Sequence, residues 1–328
     1  MKKLYLSLII TFGITTTYAN NIDYQELVNQ AYAKYKNDNR GDVADYIPEL
    51  AKYDHKLYAI TLITVDGKIY SAGNVKAKFP LESISKIFAL SLALQQHGAD
   101  NVLNKIGSEA TGLPFNSVTA IEQQPNKTGN ALVNAGAIAT VSLINANSKT
   151  DKWNLILNNL NDYANAKLSL NKGVYKSEMD TNQHNQAITQ LLISHKSFYG
   201  DMNETLDVYT RECSVDVSTI ELAQMASVLA NNGKSIFNGK QILDAKLVPN
   251  LLSQMATAGM YDYSGTWMYN VGIPAKSGVS GGIIAVVPGK YAIAAYSPPL
   301  DSYGNSVRAQ EAIKYIANAT NANIFNAK

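Results

Sequence analysis

Two β-rich stretches, one near each end of the chain, constrain its fold more than anything between them. Residues 56–72 read as a hairpin, because Asp66-Gly67 is a primed-turn pair and its flanks, Ala59 to Thr64 and Ile69-Tyr70, are rich in β-branched and aromatic residues. Residues 280–287 and 291–296 read as a second hairpin of two apolar strands around Pro288-Gly289. From about residue 101 to 258 the character is helical. Ala135–Leu143 is a small-residue apolar helix, and Trp153–Tyr163, Asn185–Ile193 and Val217–Leu229 follow, the last closed by Asn231-Asn232-Gly233. Asp23–Tyr35 has helical periodicity before the first hairpin, and Asn305–Ile316 forms a helix after the second. The simplest arrangement is an α+β fold. Its antiparallel sheet is built from both chain ends with flanking helices (about 20–100 and 259–328), and a helical lobe (about 101–258) is inserted between them.

The first nineteen residues are set apart from this fold. Lys2 and Lys3 precede an apolar run from Leu4 to Ile14, and Thr17-Tyr18-Ala19 is a small-x-small cleavage site, so residues 1–19 are expected to be a signal peptide. The run is too short for a transmembrane span, and the mature chain, 20–328, is expected in the periplasm or secreted. The whole chain carries a formal charge of +2. Loss of Lys2 and Lys3 makes the mature chain neutral, and no basic field suggests a nucleic-acid partner. Apolar residues at 46% and charged residues at 16% describe a folded, low-charge protein. The single Cys213 permits no internal disulfide and reads as a packing residue. His55, His97, His184 and His195 stand in no HExxH or Cys/His cluster, so no metal is expected.

The stretch that carries chemistry is Pro80-Leu-Glu-Ser83-Ile-Ser-Lys86-Ile-Phe-Ala-Leu-Ser-Leu92. Pro80 supplies a stop, and Ile84, Ile87, Phe88, Leu90 and Leu92 begin a mostly buried helix. One helical turn brings Ser83 and Lys86 to one face, where the lysine amine can serve as base for the serine, provided that burial removes its proton near neutral pH. The motif alone is common and usually means nothing. Serine β-lactamases and penicillin-binding proteins add Ser-Asp-Asn, absent here, and Lys-Thr-Gly on a strand beside the nucleophile. Lys127-Thr128-Gly129 matches literally but lies in a loop before a helix. Lys276-Ser277-Gly278, just before the C-terminal hairpin, is the physically suitable counterpart, and it would bring the Val279 amide next to Ser83.

An ordered series of motifs then resembles one family, the serine-dependent glutaminases of the β-lactamase-like superfamily. The matches are Asp45-Tyr46-Ile47-Pro48-Glu49-Leu50, Ser83 to Lys86, Phe115-Asn116-Ser117 and Asn134 to Ile138. They continue through Val174-Tyr175, Ser177-Glu178, Asn185, Cys213-Ser214, Gly259 to Asp262, Pro274 to Val279 and Ser297 to Leu300. Glu82 stands where glutamine is usual, Ala131 where proline is usual, His184 where arginine is usual and Ser280 where glycine is usual. The familiar bacterial members also look cytoplasmic, unlike an exported chain.

The resemblance implies hydrolysis of L-glutamine to L-glutamate and ammonia through a γ-glutamyl-Ser83 acyl-enzyme, without cofactor, by a homodimer or homotetramer. Ser83 is the expected nucleophile, Lys86 the base, and the Ser83 and Val279 amides the oxyanion hole. By similarity, Tyr261 and Tyr46 line the chemical centre, Glu178 receives the substrate ammonium, and Asn134, Asn185 and Tyr209 bond the rest of the substrate. Taken singly, Glu178 would be a solvated charge, the asparagines turns or caps, and each tyrosine a core or rim aromatic. Two rivals stand against this reading: another Ser-x-x-Lys acyl hydrolase such as a β-lactamase or DD-peptidase, and a non-enzymatic exported amino-acid binding protein that has no need of Lys86.

Overall fold

Strands buried on both faces explain why the β segments read as unbroken apolar runs. In the computed structural model, which describes residues 22–326, a five-stranded antiparallel sheet runs in the order β2-β1-β8-β7-β6. Its strands are β1 (Ala59–Thr64), β2 (Ile69–Gly73), β6 (Ala275–Ser277), β7 (Gly282–Val287) and β8 (Tyr291–Tyr296). The sheet is therefore assembled from both chain ends, as expected, and the proposed signal peptide lies outside the described residues. Successive side chains of a strand point to opposite faces. Ile284, Val286, Ala292, Ala294 and Tyr296 accordingly join the core shared with the helical part, while Ile283, Ala285, Val287, Tyr291, Ile293 and Ala295 join a second core on the other side. Helix α1 (Tyr24–Tyr35), capped by Asp23 on the Glu26 amide, closes that second side together with the last helix of the chain.

Eleven further α-helices lie between α1 and that last helix. They are α2 (Ser85–His97), α3 (Ala99–Ile106), α4 (Val118–Gln123), α5 (Asn134–Leu143), α6 (Lys149–Ala164), α7 (Lys172–Asp180), α8 (Gln183–Ser194), α9 (Met202–Cys213), α10 (Thr219–Ala230), α11 (Val248–Ala258) and α12 (Ser264–Asn270), and the last helix is α13 (Val307–Ala319). Helix α10, started by a Ser218/Glu221 capping box, packs across β8, β1 and β7 and fastens the helical part to the sheet. Helix α2 is buried all round, against α5, α6, α3 and α11, which is why its sequence shows no polar stripe. A second, three-stranded sheet was not legible in advance. Its order is β3 (Phe79–Pro80), β5 (Val215–Val217), β4 (Ser169–Leu170), and Leu81 N–H donates to Val215 C=O at 2.9 Å, so the segment entering Ser83 is tied to the end of α9. The Phe79 ring stacks on Tyr296 of β8, centroids 3.8 Å apart, which fixes the same segment to the main sheet.

Several boundaries differ from the sequence reading, each for a local reason. The first hairpin does not use a two-residue primed turn. Only Gly67 of the Asp66-Gly67 pair has positive φ, at +86°, and Thr64 N–H donates to Lys68 C=O at 3.1 Å, so the loop is the three-residue form with a left-handed glycine. Val217 belongs to β5 rather than to α10, because Ser218 caps the helix after it. Asn305 likewise precedes α13, which Ser306 caps. The Lys276-Ser277 pair is not a lead-in to the hairpin but forms the edge strand β6, in register with Ile284 and Ile283 of β7. No described helix is long and apolar enough to cross a membrane.

Candidate active site

Ser83 sits one step earlier than the helical reading places it, in a single 3-10 turn, Glu82–Ile84, that leads into α2. That turn is tighter than an α-helix and keeps the three-residue spacing to Lys86. Its first residue, Glu82, has φ of +50°, a left-handed conformation unfavourable for a side chain with a Cβ. Gly278, just after β6, lies against it. A Cβ there would come within 2.7 Å of Leu81 O and 3.2 Å of Glu82 Cβ, so only glycine lets the strand end approach the Ser83 turn this closely. The Val279 amide follows directly, and it makes no hydrogen bond within the described residues. Such an N–H is free to donate to an oxygen lodged in the cavity.

A cavity of about 240 Å³ opens on this turn. Seven of the nine residues named from the sequence line it: Ser83, Tyr46, Asn134, Glu178, Asn185, Tyr209 and Val279. Lys86 and Tyr261 stand behind the wall. Lys86, 1% exposed, donates through Nζ to Asn134 Oδ1 at 2.7 Å rather than to Ser83, and Asn134 Nδ2 donates in turn to Asn185 Oδ1 at 3.1 Å. Tyr209 reaches the same Asn134 oxygen at 3.5 Å. The Tyr261 hydroxyl lies beside Ser83 and donates to Ser277 C=O at 3.3 Å. Tyr261 also has positive φ, +57°, and its backbone is held by Ser264 Oγ, which donates to Tyr261 C=O at 2.6 Å and accepts from Met260 N–H at 2.9 Å. Tyr46 differs from the others: more than half its surface is exposed, on the rim of the cavity.

Burial sets the electrostatics. It lowers the Lys86 amine from its ordinary 10.5 to about 8, against the opposing pull of Cys213, Glu212, Glu82 and Glu178. Lys276, also fully buried, is held well below its ordinary range by burial and then by the Lys86 charge, and its Nζ lies 4.3 Å from the Tyr261 ring centroid. Burial likewise raises the acids. Glu178 is pushed up to about 7, with Lys86 and the Glu82 hydrogen bond pulling down. Glu82 rises well above the usual carboxylate range through burial and the facing Glu178 carboxyl. Two close carboxyls held out of water resist ionising together, and Glu82 is the one held higher.

Sequence reasoning gave no role to several residues at this centre. Glu82 and His184, two of the departures from the family pattern, line the cavity, and His184 Nε2 is 2.6 Å from Asn116 O. Ala131 has a visible reason for not being proline, since its N–H donates to Gln254 Oε1 at 3.0 Å. Ser280 is buried with its hydroxyl unpartnered, and nothing in the structure explains it. Cys213 is buried as expected but also touches the cavity, its Sγ 3.6 Å from Ser85 Oγ. Ser277 Oγ donates to Asn305 Oδ1 at 2.5 Å and Asn305 Nδ2 to Met260 C=O at 3.3 Å, linking β6 to the Tyr261 turn across residues with no sequence spacing in common. Lys127-Thr128-Gly129 has a structural role instead, Thr128 Oγ1 donating to Ile106 C=O at 2.6 Å.

A serine on a tight turn, a buried lysine one turn on and an edge strand running into Lys-Ser-Gly fit the superfamily, and comparison with known proteins narrows it. The family model described as Glutaminase matches residues 41–325. The chain belongs to the glutaminase family. It is 52% identical over 301 residues to a glutaminase of Colwellia psychrerythraea, covering 92% of this chain and 97% of that one. Among solved structures, the probable glutaminase ybaS is 48% identical with a TM-score of 0.91, covering 92% of this chain and 98% of its own. A probable glutaminase from Bacillus subtilis, solved in complex with 6-diazo-5-oxo-L-norleucine, is 28% identical with a TM-score of 0.81, covering 92% and 95%. The fold is thus the β-lactamase-like one expected, and the enzyme is a glutaminase, hydrolysing L-glutamine to L-glutamate and ammonia.

Glu212, beside Cys213 on α9, is a third buried acid whose two carboxyl oxygens have no partner among the described residues. Burial raises it from its ordinary 4.5 to about 8, with Lys86 opposing. The folded chain therefore keeps a proton that the unfolded chain loses, and the penalty is absent below the unfolded value, grows with rising pH and is complete above about 8. Glu212→Gln removes it. Chemical denaturation should show the variant's advantage over the parent growing between acidic and alkaline pH by on the order of 3 kcal/mol. An offset that stays constant with pH contradicts an ionisable Glu212.

Proposed function

We propose that Ser83 is the nucleophile and Lys86 the general base of this glutaminase. The observation that carries the proposal is a lysine amine taken out of water one turn from a cavity-lining serine and held near the pH at which it can exchange a proton. Glutamine needs a clamp for its charged head group as well as an acylation centre. Glu178, with its ammonium-seeking charge, and Asn185 and Tyr209, with their donors, supply the clamp, and Asn134 links it to Lys86.

In acylation the neutral Lys86 amine takes the Ser83 Oγ proton while Oγ attacks the carboxamide carbon. The carbonyl oxygen gathers charge against the Val279 and Ser83 amides, each such donor being worth about 3 kcal/mol of barrier. The carbon–nitrogen bond then breaks, and the lysine ammonium returns its proton to the departing nitrogen, which leaves as ammonia. Water repeats the sequence to release glutamate. Tyr261, beside Ser83, is placed to relay that proton, and Tyr46 closes the rim over the acyl group. Asparagine is a minor substrate at most, because its shorter chain misplaces the carbonyl, a difference of about 1–3 kcal/mol.

The rate constant kcat/KM for glutamine should rise with pH through the ionisation of Glu178 near 7 and the deprotonation of Lys86 near 8. Lys86→Met should fold and lose at least ~1000-fold in acylation, and Ser83→Ala should release no ammonia. Wild-type acylation of Lys86→Met at neutral pH would move the base to Tyr46 or Tyr261.

The mature enzyme is also proposed to begin at Asn20, in the periplasm or outside the cell, and to act as a homodimer or homotetramer. The charged-then-apolar N-terminus supports export, and a neutral surface does not oppose association. Intact mass and light scattering on the native protein check both. A chain that keeps Met1 contradicts export, and a single-chain mass contradicts assembly.

A further inference from the structure

A site that released only ammonia would need no room beyond the scissile nitrogen, yet the cavity does not end there. Tyr46, Phe115 and Val279 are shared between the inner cavity and an outer one of about 750 Å³, whose remaining walls include Leu300, Tyr303 and Gln310. Glu178, Asn134 and Asn185 line the inner cavity alone, so the outer one adjoins the acyl end of the site and not the head-group end. Gly304 fixes how close it comes. A Cβ there would stand 3.6 Å from the Tyr261 ring and 3.8 Å from Val279 Cγ1, so the outer wall abuts the side chains of both residues.

That wall is preformed. Asp301 Oδ1 accepts from the Tyr303 and Asn305 amides at 2.9 Å each, and Gln310 Nε2 donates to Asp301 Oδ2 at 2.8 Å. Leu300 exchanges backbone hydrogen bonds with Asp42 at 2.8 and 3.1 Å, and Asn305 is bonded to Ser277 on β6. The loop's shape is held by these bonds within the chain, which lowers the ordering cost of binding a ligand against it. Tyr46 and Tyr303 nonetheless leave 57% and 43% of their surface uncovered at its edge. Two half-exposed aromatic rings beside the leaving-group position offer apolar surface to whatever that nitrogen carries.

We propose that this enzyme also hydrolyses γ-glutamyl amides whose nitrogen bears an apolar or aromatic substituent, the γ-glutamyl group lying in the inner cavity and the substituent in the outer one. The proposal rests on the glutaminase reading and extends its substrate class. Its chemistry balances in the same way: Ser83 Oγ bonds to the acyl carbon as the carbon–nitrogen bond breaks, and the proton taken by Lys86 leaves on the amine. Water then releases glutamate and restores the Ser83 proton.

The test compares L-glutamine with its N-benzyl amide, γ-glutamylbenzylamide, on the wild-type protein and on Tyr303→Ala, a half-exposed position outside the acylation machinery. Wild type should turn over both amides with kcat/KM within about tenfold of each other, and Tyr303→Ala should lose about tenfold on the benzyl amide while changing less than about twofold on glutamine. Hydrolysis of glutamine with the benzyl amide at least ~1000-fold slower overturns the proposal and leaves the glutaminase reading intact, as does an equal loss on both substrates in Tyr303→Ala. Inactivity of the folded wild type on both amides removes the glutaminase reading and this proposal together.

Discussion

Taking an ammonium out of water is costly unless something answers its charge, and much of this molecule is arranged around one such group. Lys86 lies on a helix buried on every side, and its amine has one strong bond, to Asn134. Three carboxyls, Glu82, Glu178 and Glu212, and a second buried lysine, Lys276, lie close enough to act on its charge. None of these groups titrates alone. Burial drives the acids up and the amines down, while attraction between them works the other way, so the Lys86 value near 8 is a balance and not a property of its pocket alone. Of the facing pair Glu82 is held the higher, which leaves Glu178 as the one to ionise first and, in the proposed reading, to meet the substrate ammonium. A protonated Glu82 beside Ser83 is equivalent to a neutral hydrogen-bonding group, which is how it can stand where the family resemblance leads one to expect glutamine.

The fold keeps these groups together by joining parts of the chain that are far apart in sequence. The three-stranded sheet ties the approach to Ser83 to the end of α9, where Tyr209, Glu212 and Cys213 are carried. The edge strand β6 brings Lys276 and, through Gly278, the Val279 amide to the other side of the turn. Two non-glycine residues with positive φ, Glu82 and Tyr261, flank the serine. Each such conformation costs of order 1–3 kcal/mol and persists only where its neighbours overdetermine it. Ser264, Asn305 and the Leu81–Val215 bond do so here. Strain concentrated beside one serine, and supported from both sheets, is what the proposed acylation at Ser83 requires of a preorganised centre.

What could be read from the sequence was whatever left a local periodic trace. Both main hairpins, α1, α5 and α8 were legible because turn residues or apolar spacing marked them. The short strands β3, β4 and β5 were not, since two or three residues carry no period, and β3 pairs with β5 across more than a hundred positions. Helix α9 was missed although it carries Tyr209, because its buried face mixes Thr205, Asp207, Thr210 and Glu212 with Leu206 and Val208. For the site, Ser83 and Lys86 stood out by spacing, whereas Glu178, Asn134, Asn185 and Tyr209 came only from resemblance to a family. Their shared cavity is a product of tertiary packing. Glu212 and the Ser277–Asn305 link had no signal of either kind, since a buried acid and a buried amide look in sequence like any surface residue.

The proposed chemistry depends on a Lys86 that loses its proton near neutral pH while the chain is folded. Titrating its amine directly, by NMR of protein carrying isotope-labelled lysines and with the Lys86→Met spectrum to assign the signal, tests this without reference to any substrate. A midpoint of about 8 agrees with burial outweighing the surrounding carboxyls. A midpoint at the ordinary 10.5 would mean that the amine stays charged throughout the working range, and the base would have to be sought elsewhere.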